Sequence, residues 1–381
     1  MSDTPLPPNA TLGVIGGGQL ARMFALAAAR LGYKVHVFAP ESEPPAARVC
    51  AQHTQAAYED ASAVDGFLSG VDAVTYEFEN IPFAMLEHIQ AVKPLYPGAD
   101  LLRWTRNRLR EKDFLAAHEI PVTRYATVRS LAESAAAVPG LGPDIIFKTT
   151  ELGYDGKGQC RWREGESLDT VWDALGHPTE AIAEAVVDLA LEFSILVARD
   201  AAGTEVCCGP FVNTHTNHIL DYTVWQADLS TDWAETGRAI AGRLAAACGL
   251  QGMICIEFFV SRAGDVLVNE IAPRPHNSGH LTIEACSISQ FEQQARLTAG
   301  YPAVAPIARA PAAAMANLLG DLWTPTPPDW KAIAADPAVS LHLYGKGEAR
   351  PGRKMGHLTA LGDSAEEALD RVLTARARLQ R

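Results

Sequence analysis

Ile254-Cys255-Ile256-Glu257-Phe258-Phe259-Val260 and Val266-Leu267-Val268-Asn269-Glu270-Ile271 stand on either side of a short turn, Ser261 to Asp265. Both are apolar, β-branched runs of strand length, and the polar turn between them predicts an antiparallel hairpin. Paired without a bulge, that hairpin sets Glu257 opposite Glu270. Directly opposed side chains stand about 5 Å apart on one face, where two like charges are destabilising unless a cation lies between them. Carboxylate oxygens beside a phosphate suit Mg2+, which takes one or two carboxylates and completes its shell with phosphate oxygens and water. The alternative is an edge hairpin whose glutamates face water, and the apolar run around each carboxylate speaks against it.

The hairpin belongs to a longer pattern of strands: Ile145 to Lys148, Ala181 to Val187 and Phe193 to Ala198, with an Ala-rich helix from Trp233 to Cys248. Together these predict an α+β body of antiparallel pairs. Ahead of it the pattern is different. Leu12, Val14 and Ile15 lead into Gly16-Gly17-Gly18-Gln19, then Leu20, Met23, Phe24, Ala27 and Leu31 fall on one helical face closed by Gly32. Strands at Lys34 to Phe38 and Ala73 to Tyr76 follow, so the first unit is an open α/β layer, with a parallel sheet covered by helices. A helix started by Asp100 and running from Leu101 to His118 bridges to Ile120-Pro121-Val122. After Gly300 comes a Pro- and Ala-rich linker, Tyr301 to Pro311, and a small strand-rich piece ending in a helix, Ser364 to Leu379. The expected units are residues 1–105, 106–300 and 301–381.

Four further stretches carry chemistry. Gly16-Gly17-Gly18-Gln19-Leu20-Ala21 fits a glycine-rich turn at a helix N-terminus, which either binds a phosphorylated ligand or allows a tight turn. Its dinucleotide reading wants an acidic residue after the second strand, and Glu41 falls near that distance but beyond Pro40. Lys148-Thr149-Thr150-Glu151-Leu152-Gly153-Tyr154-Asp155-Gly156-Lys157-Gly158-Gln159 ends a strand with a lysine and adds three glycines and a second lysine, either as a lid over a triphosphate or as an exposed hairpin with solvated lysines. With no Ser or Thr after a Gly-Lys pair and no helix next, it is not a Walker A loop. Pro273-Arg274-Pro275-His276-Asn277-Ser278-Gly279-His280 places a planar guanidinium and two more polar side chains next to the acidic pair, either suited to bicarbonate or another oxyanion or simply a polar surface loop. Finally, Tyr344-Gly345-Lys346-Gly347-Glu348 and Arg350-Pro351-Gly352-Arg353-Lys354-Met355-Gly356-His357 cluster cations beside glycines, either to wrap a phosphate or as a solvated basic turn.

The chain as a whole excludes several classes. Its 381 residues carry a net charge of −13, which argues against a nucleic-acid surface. Anionic substrates are therefore met by local cations. The seven cysteines form no C-x-x-C pair, so neither a zinc knuckle nor a disulfide framework is expected. No apolar run reaches the ~18 residues of a membrane span, and the polar, Pro-rich start is unlike a signal peptide, so a cytoplasmic protein is expected.

In their order, these pieces resemble the ATP-grasp superfamily and, within it, the N5-carboxyaminoimidazole ribonucleotide synthetase family. The resemblance runs from Gly16 to about Leu361 and is carried by Gly17 to Met23, Thr75-Tyr76-Glu77-Phe78-Glu79-Asn80, Gly153 to Gln159, Asn269 to His280, Tyr344-Gly345-Lys346 and Gly352 to Leu358. It implies a three-domain ligase of purine biosynthesis: a Rossmann-like pre-ATP-grasp domain, a central ATP-grasp domain and a small C-terminal domain, assembled as a homodimer. Such an enzyme uses ATP and Mg2+, two ions with Mn2+ as a substitute, to convert bicarbonate to carboxyphosphate. The amine of 5-aminoimidazole ribonucleotide then captures the carboxyl group, or CO2 released from it.

Carried onto this sequence, the resemblance gives Arg108 and Lys148 the ATP phosphates, closed over by Gly153, Tyr154, Asp155, Gly156, Lys157, Gly158 and Gln159. Glu184, Ala185, Val186 and Val187 would meet the adenine edge, Glu192 the ribose, and His215 would lie near the nucleotide. Glu257 and Glu270 would bind metal with Asn269 beside them, and Arg274, His276 and Asn277 would meet bicarbonate and the amine. Gln19, Leu20 and Glu77 would line the ribonucleotide pocket, with Lys346 and Arg353 on its phosphate. Two places depart from the family pattern: Glu151 before the lid, and Asp188-Leu189-Ala190-Leu191 where a more aromatic segment is expected. The rival readings are another ATP-grasp ligase such as the formate-dependent glycinamide ribonucleotide transformylase, an NAD-dependent oxidoreductase, and a nucleotide sensor without turnover.

Overall fold

The computed structural model describes residues 4–151 and 158–379. Thr11–Ile15 (β1), Lys34–Ala39 (β2), Gln52–Gln55 (β3) and Ala73–Tyr76 (β4) form a parallel sheet in the order β3-β2-β1-β4. β1 lies inside this sheet and is buried from Leu12 to Ile15, which is why it reads as an unbroken apolar run. The helix Gln19–Arg30 follows with Leu20, Phe24 and Ala28 turned inward. Gly32 ends it at φ 83°, a left-handed position that glycine adopts without a Cβ penalty.

The helix expected over Leu101 to His118 is instead two helices, Ala99–Thr105 and Arg108–Ala117. Asn107 divides them: its backbone is extended and its side-chain oxygen accepts from the N–H groups of Leu109 and Arg110, each at 3.1 Å. Satisfying two orphan N–H groups favours starting a new helix over continuing the old one. The second helix then sets Arg108 and Glu111 on the wall of the central cleft.

Tyr125–Val128 (β5), Asp144–Thr149 (β6), Gln159–Arg163 (β7) and Ala181–Ala185 (β8) make a small antiparallel lobe ordered β5-β8-β6-β7. The large sheet is antiparallel and has eight strands: Leu189–Arg199 (β9), Glu205–Thr216 (β10), Ile219–Trp225 (β11), Gly252–Ser261 (β12), Val266–Ala272 (β13), Ala312–Leu319 (β14), Val339–Leu343 (β15) and Lys354–Gly362 (β16). Their order is β13-β12-β9-β10-β11-β14-β16-β15. β11 pairs with β14 from Tyr222↔Ala316 to Trp225↔Ala313, so the C-terminal strands continue the central sheet. Ala314 and Ala316 of β14 are small and buried, which lets the helix Ala365–Arg378 pack closely through Ala368, Val372 and Ala375.

On β9 and β12, Phe193, Ile195, Val197, Ile254, Ile256 and Phe258 meet Ile240, Ala241 and Leu244 of the helix Thr231–Ala247 in one core. The helix Gln290–Thr298 ties this body to the first one, because Phe291 and Ala295 share a core with Leu20, Phe24 and Ala28. The seven cysteines are unpaired. Among the described residues no helix is long and apolar enough to cross a membrane.

The cap at the helix break yields a stability prediction. Asn107→Ala should cost about 1 kcal/mol in urea denaturation, while Asn107→Asp, which keeps a side-chain acceptor, should lie within about 0.5 kcal/mol of the parent.

Candidate active site

The acidic hairpin forms, with one correction. β12 and β13 pair Val260↔Val266, Phe259↔Leu267 and Phe258↔Val268, then shift register, and Glu257 faces Glu270. Continued without a bulge, the pairing next to the turn would have set Glu257 opposite Asn269. Asn269 is the extra residue, and its insertion brings Glu270 into place. Bulges bend a strand and re-aim its side chains, and they concentrate beside active sites.

The two carboxylates sit in unlike surroundings. Glu257 is buried and its Oε1 lies 2.8 Å from Nε2 of His276. Burial alone would raise its pKa, but the His276 imidazolium outweighs that and holds Glu257 down at about 2. Burial likewise lowers His276, and the Glu257 charge reverses this, raising the imidazole to about 10. Glu270 faces the open cleft, yet lies deep enough between its walls that its carboxyl is pushed up, by burial first and by the Glu257 charge next. Glu257 is ion-paired with His276, whereas the Arg108, His276 and Lys148 charges around Glu270 do not offset its burial and the Glu257 charge, which suits a further cation there.

Behind His276 runs a buried polar chain. His276 Nδ1 is 2.8 Å from Ser278 Oγ, which is 2.7 Å from Ser194 Oγ. Asn213 donates to Ser194 at 3.1 Å and accepts from Thr223 at 2.9 Å. Every member is hydrogen-bonded, so the imidazole is fixed in orientation.

A cleft of about 480 Å³ opens above this pair between the small lobe and the large sheet. Arg106, Arg108, Lys148, Arg274 and Lys354 bring positive charge to its walls, so the local field opposes the net charge of the chain. Lys148 Nζ lies 2.7 Å from Oε2 of Glu184. Burial would raise Glu184, but Lys148 and then Lys112 hold its carboxyl below the ordinary value. Arg108 donates from Nη1 to the Thr149 carbonyl at 2.9 Å. Ala185, Val186, Val187, Glu192, His215 and Asn269 also line the cleft. The Val186 N–H already donates to Asp144 at 3.0 Å, so Val186 offers its carbonyl. His215 Nδ1 lies 3.0 Å from Glu192; burial lowers this imidazole, and the Glu192 hydrogen bond and charge raise it above its ordinary value. Glu192, His215 and Glu257 offer ligand atoms within 4.8 Å of one another, a second grouping on the cleft wall that shares Glu257 with the hairpin pair.

The glycine turn answers its own alternative. Glu77 accepts hydrogen bonds from the N–H of Gly18 and, at 2.9 Å, from the N–H of Ala21, so a carboxylate of the chain itself occupies the helix N-terminus that a dinucleotide pyrophosphate would use. A Cβ at Gly18 would lie 2.6 Å from Glu77 Oε1, which explains the glycine there. Burial raises Glu77, opposed by those N–H groups and by Arg274 and Lys346, which places both cations near it. Leu20 points into the core, so only its backbone can line a pocket, whereas Gln19 opens the helix half-exposed. Arg274 pairs with Glu79 at 2.5 Å, and Lys346 lies over the Tyr344 ring at 5.7 Å.

Two expected residues are engaged by groups of the chain itself. Asn277 does not line the cleft; its amide exchanges hydrogen bonds with Asn317 at 3.1 and 2.6 Å. Arg353 donates to the Glu348 carbonyl at 2.7 Å, while its neighbour Lys354 reaches the cleft near Glu257. Gly153 to Lys157 of the lid lie outside the described residues, though Gln159 lines the cleft from β7. Sequence reasoning missed Arg106, Glu79 and Lys354 on the walls and Glu111 and Lys112 behind them. The family motif Tyr76 to Asn80 contained Glu79, and the basic run contained Lys354, but no signal singled out the other three.

A cleft between a small antiparallel lobe and a large sheet, with a lysine on one side and paired acids on the other, defines an ATP-grasp enzyme. Three family models cover the chain in order: the ribonucleotide synthetase preATP-grasp domain over residues 9–106, the ATP-grasp domain over 113–291 and the phosphoribosylaminoimidazole carboxylase C-terminal domain over 313–371. The chain belongs to the N5-carboxyaminoimidazole ribonucleotide synthase family, ATP-grasp ligases of purine biosynthesis. It is 39% identical to the N5-carboxyaminoimidazole ribonucleotide synthase of Brucella melitensis, over 95% of this chain and 99% of that one. It is equally identical to part of the bifunctional purine synthesis protein purC/E of Dictyostelium discoideum, of whose length it spans 37%. Among solved structures, N5-carboxyaminoimidazole synthetase from Staphylococcus aureus complexed with ADP superposes with a TM-score of 0.91 at 32% identity, over 98% of each chain. The Aspergillus clavatus synthase in complex with ADP and 5-aminoimidazole ribonucleotide gives 0.86 at 26% identity, over 98% of this chain and 99% of that one.

Lys148→Met strands the buried Glu184 carboxylate and should lower stability by about 3 kcal/mol in urea denaturation. The double variant Lys148→Met/Glu184→Gln should recover most of that loss.

Proposed function

We propose that this chain carboxylates 5-aminoimidazole ribonucleotide at its exocyclic amine, consuming bicarbonate and ATP and releasing ADP and phosphate. The observation that carries the reading is the opposition of Glu257 and Glu270 in a cleft otherwise walled with cations. Glu257 and Glu270, with Asn269 beside them, fit Mg2+: they offer hard oxygen donors, one of them raised despite the cations around it, next to a place for phosphates. Two such ions, when bound, neutralise charge on the phosphates during transfer.

The protein's own part is positioning and charge. Arg108 and Lys148 hold the ATP phosphates, Glu184 to Val187 border the adenine, and Glu192 takes the ribose hydroxyls with His215 beside them. A bicarbonate oxygen attacks the γ-phosphorus, the bond to ADP breaks, and carboxyphosphate forms. Arg274 and His276 hold the bicarbonate next to Glu257 and Glu270. The amine nitrogen then bonds to the carboxyl carbon, directly or as CO2, phosphate departs and the nitrogen gives up one proton. Carboxyphosphate hydrolyses readily in water, which gives the Gly153 to Gln159 lid its purpose. Gln19, the backbone at Leu20 and Glu77 border the ribonucleotide, and Lys346 and Arg353 hold its phosphate. Assembly as a homodimer in the cytoplasm completes the proposal.

Glu270→Gln should abolish bicarbonate-dependent ADP release at an unchanged Tm; near-normal turnover would remove the metal assignment. Arg353→Ala should raise the KM for the ribonucleotide by about tenfold with little change in kcat, measured by phosphate release, and an unchanged KM would show that the basic C-terminal turn holds something else.

A further inference from the structure

β13 is an edge strand of the eight-stranded sheet, so the backbone groups on its outer side have no strand to pair with. The bulge at Asn269 disturbs the ladder on its inner side as well. Yet Glu270 must stand opposite Glu257 for the pair to act together. The strand's outer edge is occupied by a set of side-chain and loop contacts. Lys112 Nζ donates to the Asn269 carbonyl at 2.8 Å and to the Val268 carbonyl at 3.3 Å. Glu111 Oε2 accepts from the Ile271 N–H at 3.1 Å. The Val268 N–H donates to the Pro121 carbonyl at 2.8 Å.

Two neighbouring residues of one helix thus supply a donor and an acceptor to the backbone on both sides of Glu270. Both are buried, Glu111 at 4% and Lys112 at 2% exposure, where a lone charge is costly. Burial pushes the Glu111 carboxyl up to about 8 and the Lys112 ammonium down, so apolar residues of the same volume would be the more stable choice and stability alone does not account for this pair of polar groups. A ladder strand could not do the same work, because its regular spacing would favour a β13 without the extra residue.

We propose that Glu111 and Lys112 are positioning residues that clamp the Asn269 bulge and thereby hold the Glu270 carboxylate in register with Glu257 for divalent-cation binding. This rests on the reading of Glu257 and Glu270 as the cation's ligands, and it adds to that reading the device that fixes their geometry. Lys112→Met removes the donor while keeping the volume of the stem. The two carbonyls are then left buried without a partner and the strand relaxes by turning Glu270 away.

The test uses the full chain with ADP and Mn2+, counting bound Mn2+ by electron paramagnetic resonance without turnover, alongside the Mg2+ dependence of bicarbonate-dependent ADP release. Lys112→Met should weaken Mn2+ binding and raise the half-saturating Mg2+ by about 10-fold or more, with the ribonucleotide KM within about twofold of the parent. Glu111→Gln keeps an acceptor for Ile271 and should stay near the parent, whereas Glu111→Ala should follow Lys112→Met. A fall in Tm with unchanged Mn2+ binding in Lys112→Met and Glu111→Ala would overturn the proposal and leave both as ordinary core residues. Should Lys112→Met not fold, Glu111→Ala decides on the same readout. Glu270→Gln is measured in parallel: if it binds Mn2+ as the parent does, the ligand assignment itself falls, which separates that failure from a failure of the clamp.

Discussion

Electrostatic repulsion between two carboxylates on facing strands is the constraint around which the rest of this molecule is arranged. Glu257 and Glu270 are opposed by the β12/β13 pairing, Glu257 buried and Glu270 open to the cleft. Such an arrangement persists only if the surrounding structure enforces it. The enforcement is visible on three sides: the His276 imidazolium on Glu257, the Glu111 and Lys112 contacts on the backbone around Glu270, and a cationic wall across the cleft. These contacts draw on the segment after β13, on β16 and on the Arg108–Ala117 helix, which carries Arg108, Glu111 and Lys112 together.

The same economy of charge runs through the interior. A chain with net charge −13 concentrates arginine and lysine where phosphate is to be held and pairs several of them with acids, as in Lys148 with Glu184 and Arg274 with Glu79. Where charge would be excessive, neutral polar side chains take over. The line from His276 through Ser278, Ser194 and Asn213 to Thr223 fixes one imidazole over a long buried path without adding another ion. Glu77 shows the complementary solution, an acid seated on the N–H groups of a helix start. Local dipoles there do what a lysine does elsewhere.

Much of this was legible in the sequence, for reasons tied to periodicity. The open α/β layer followed from one strand–glycine–helix unit and the spacing of later strands, and the acidic pair followed from two apolar runs around a turn. What escaped was non-local or one residue in size. The bulge at Asn269 has no local signature, and the correct opposition of Glu257 and Glu270 was reached by a straight pairing that the turn does not in fact support. The join between β11 and β14 spans a long stretch of chain, so no pattern announces that the C-terminal strands complete the central sheet. Asn107 was readable as a cap in hindsight, but the helical pattern on either side concealed it. At the start of β16, Arg353 and Lys354 differ by one position and therefore by one face, and the resemblance that marked Arg353 for the ribonucleotide phosphate gave no sign that Lys354 reaches the cleft.

That shared sheet has a mechanical meaning. The strands that flank the basic C-terminal turn, β15 and β16, and the hairpin bearing the acidic pair are linked by continuous ladders through β14, β11, β10 and β9. Rotating one against the other would shear backbone hydrogen bonds across the sheet. Among the described residues the lobe of β5 to β8 shares no ladder with it, so that lobe can swing against the sheet without breaking one, while the acidic hairpin and the basic C-terminal turn stay in one fixed frame.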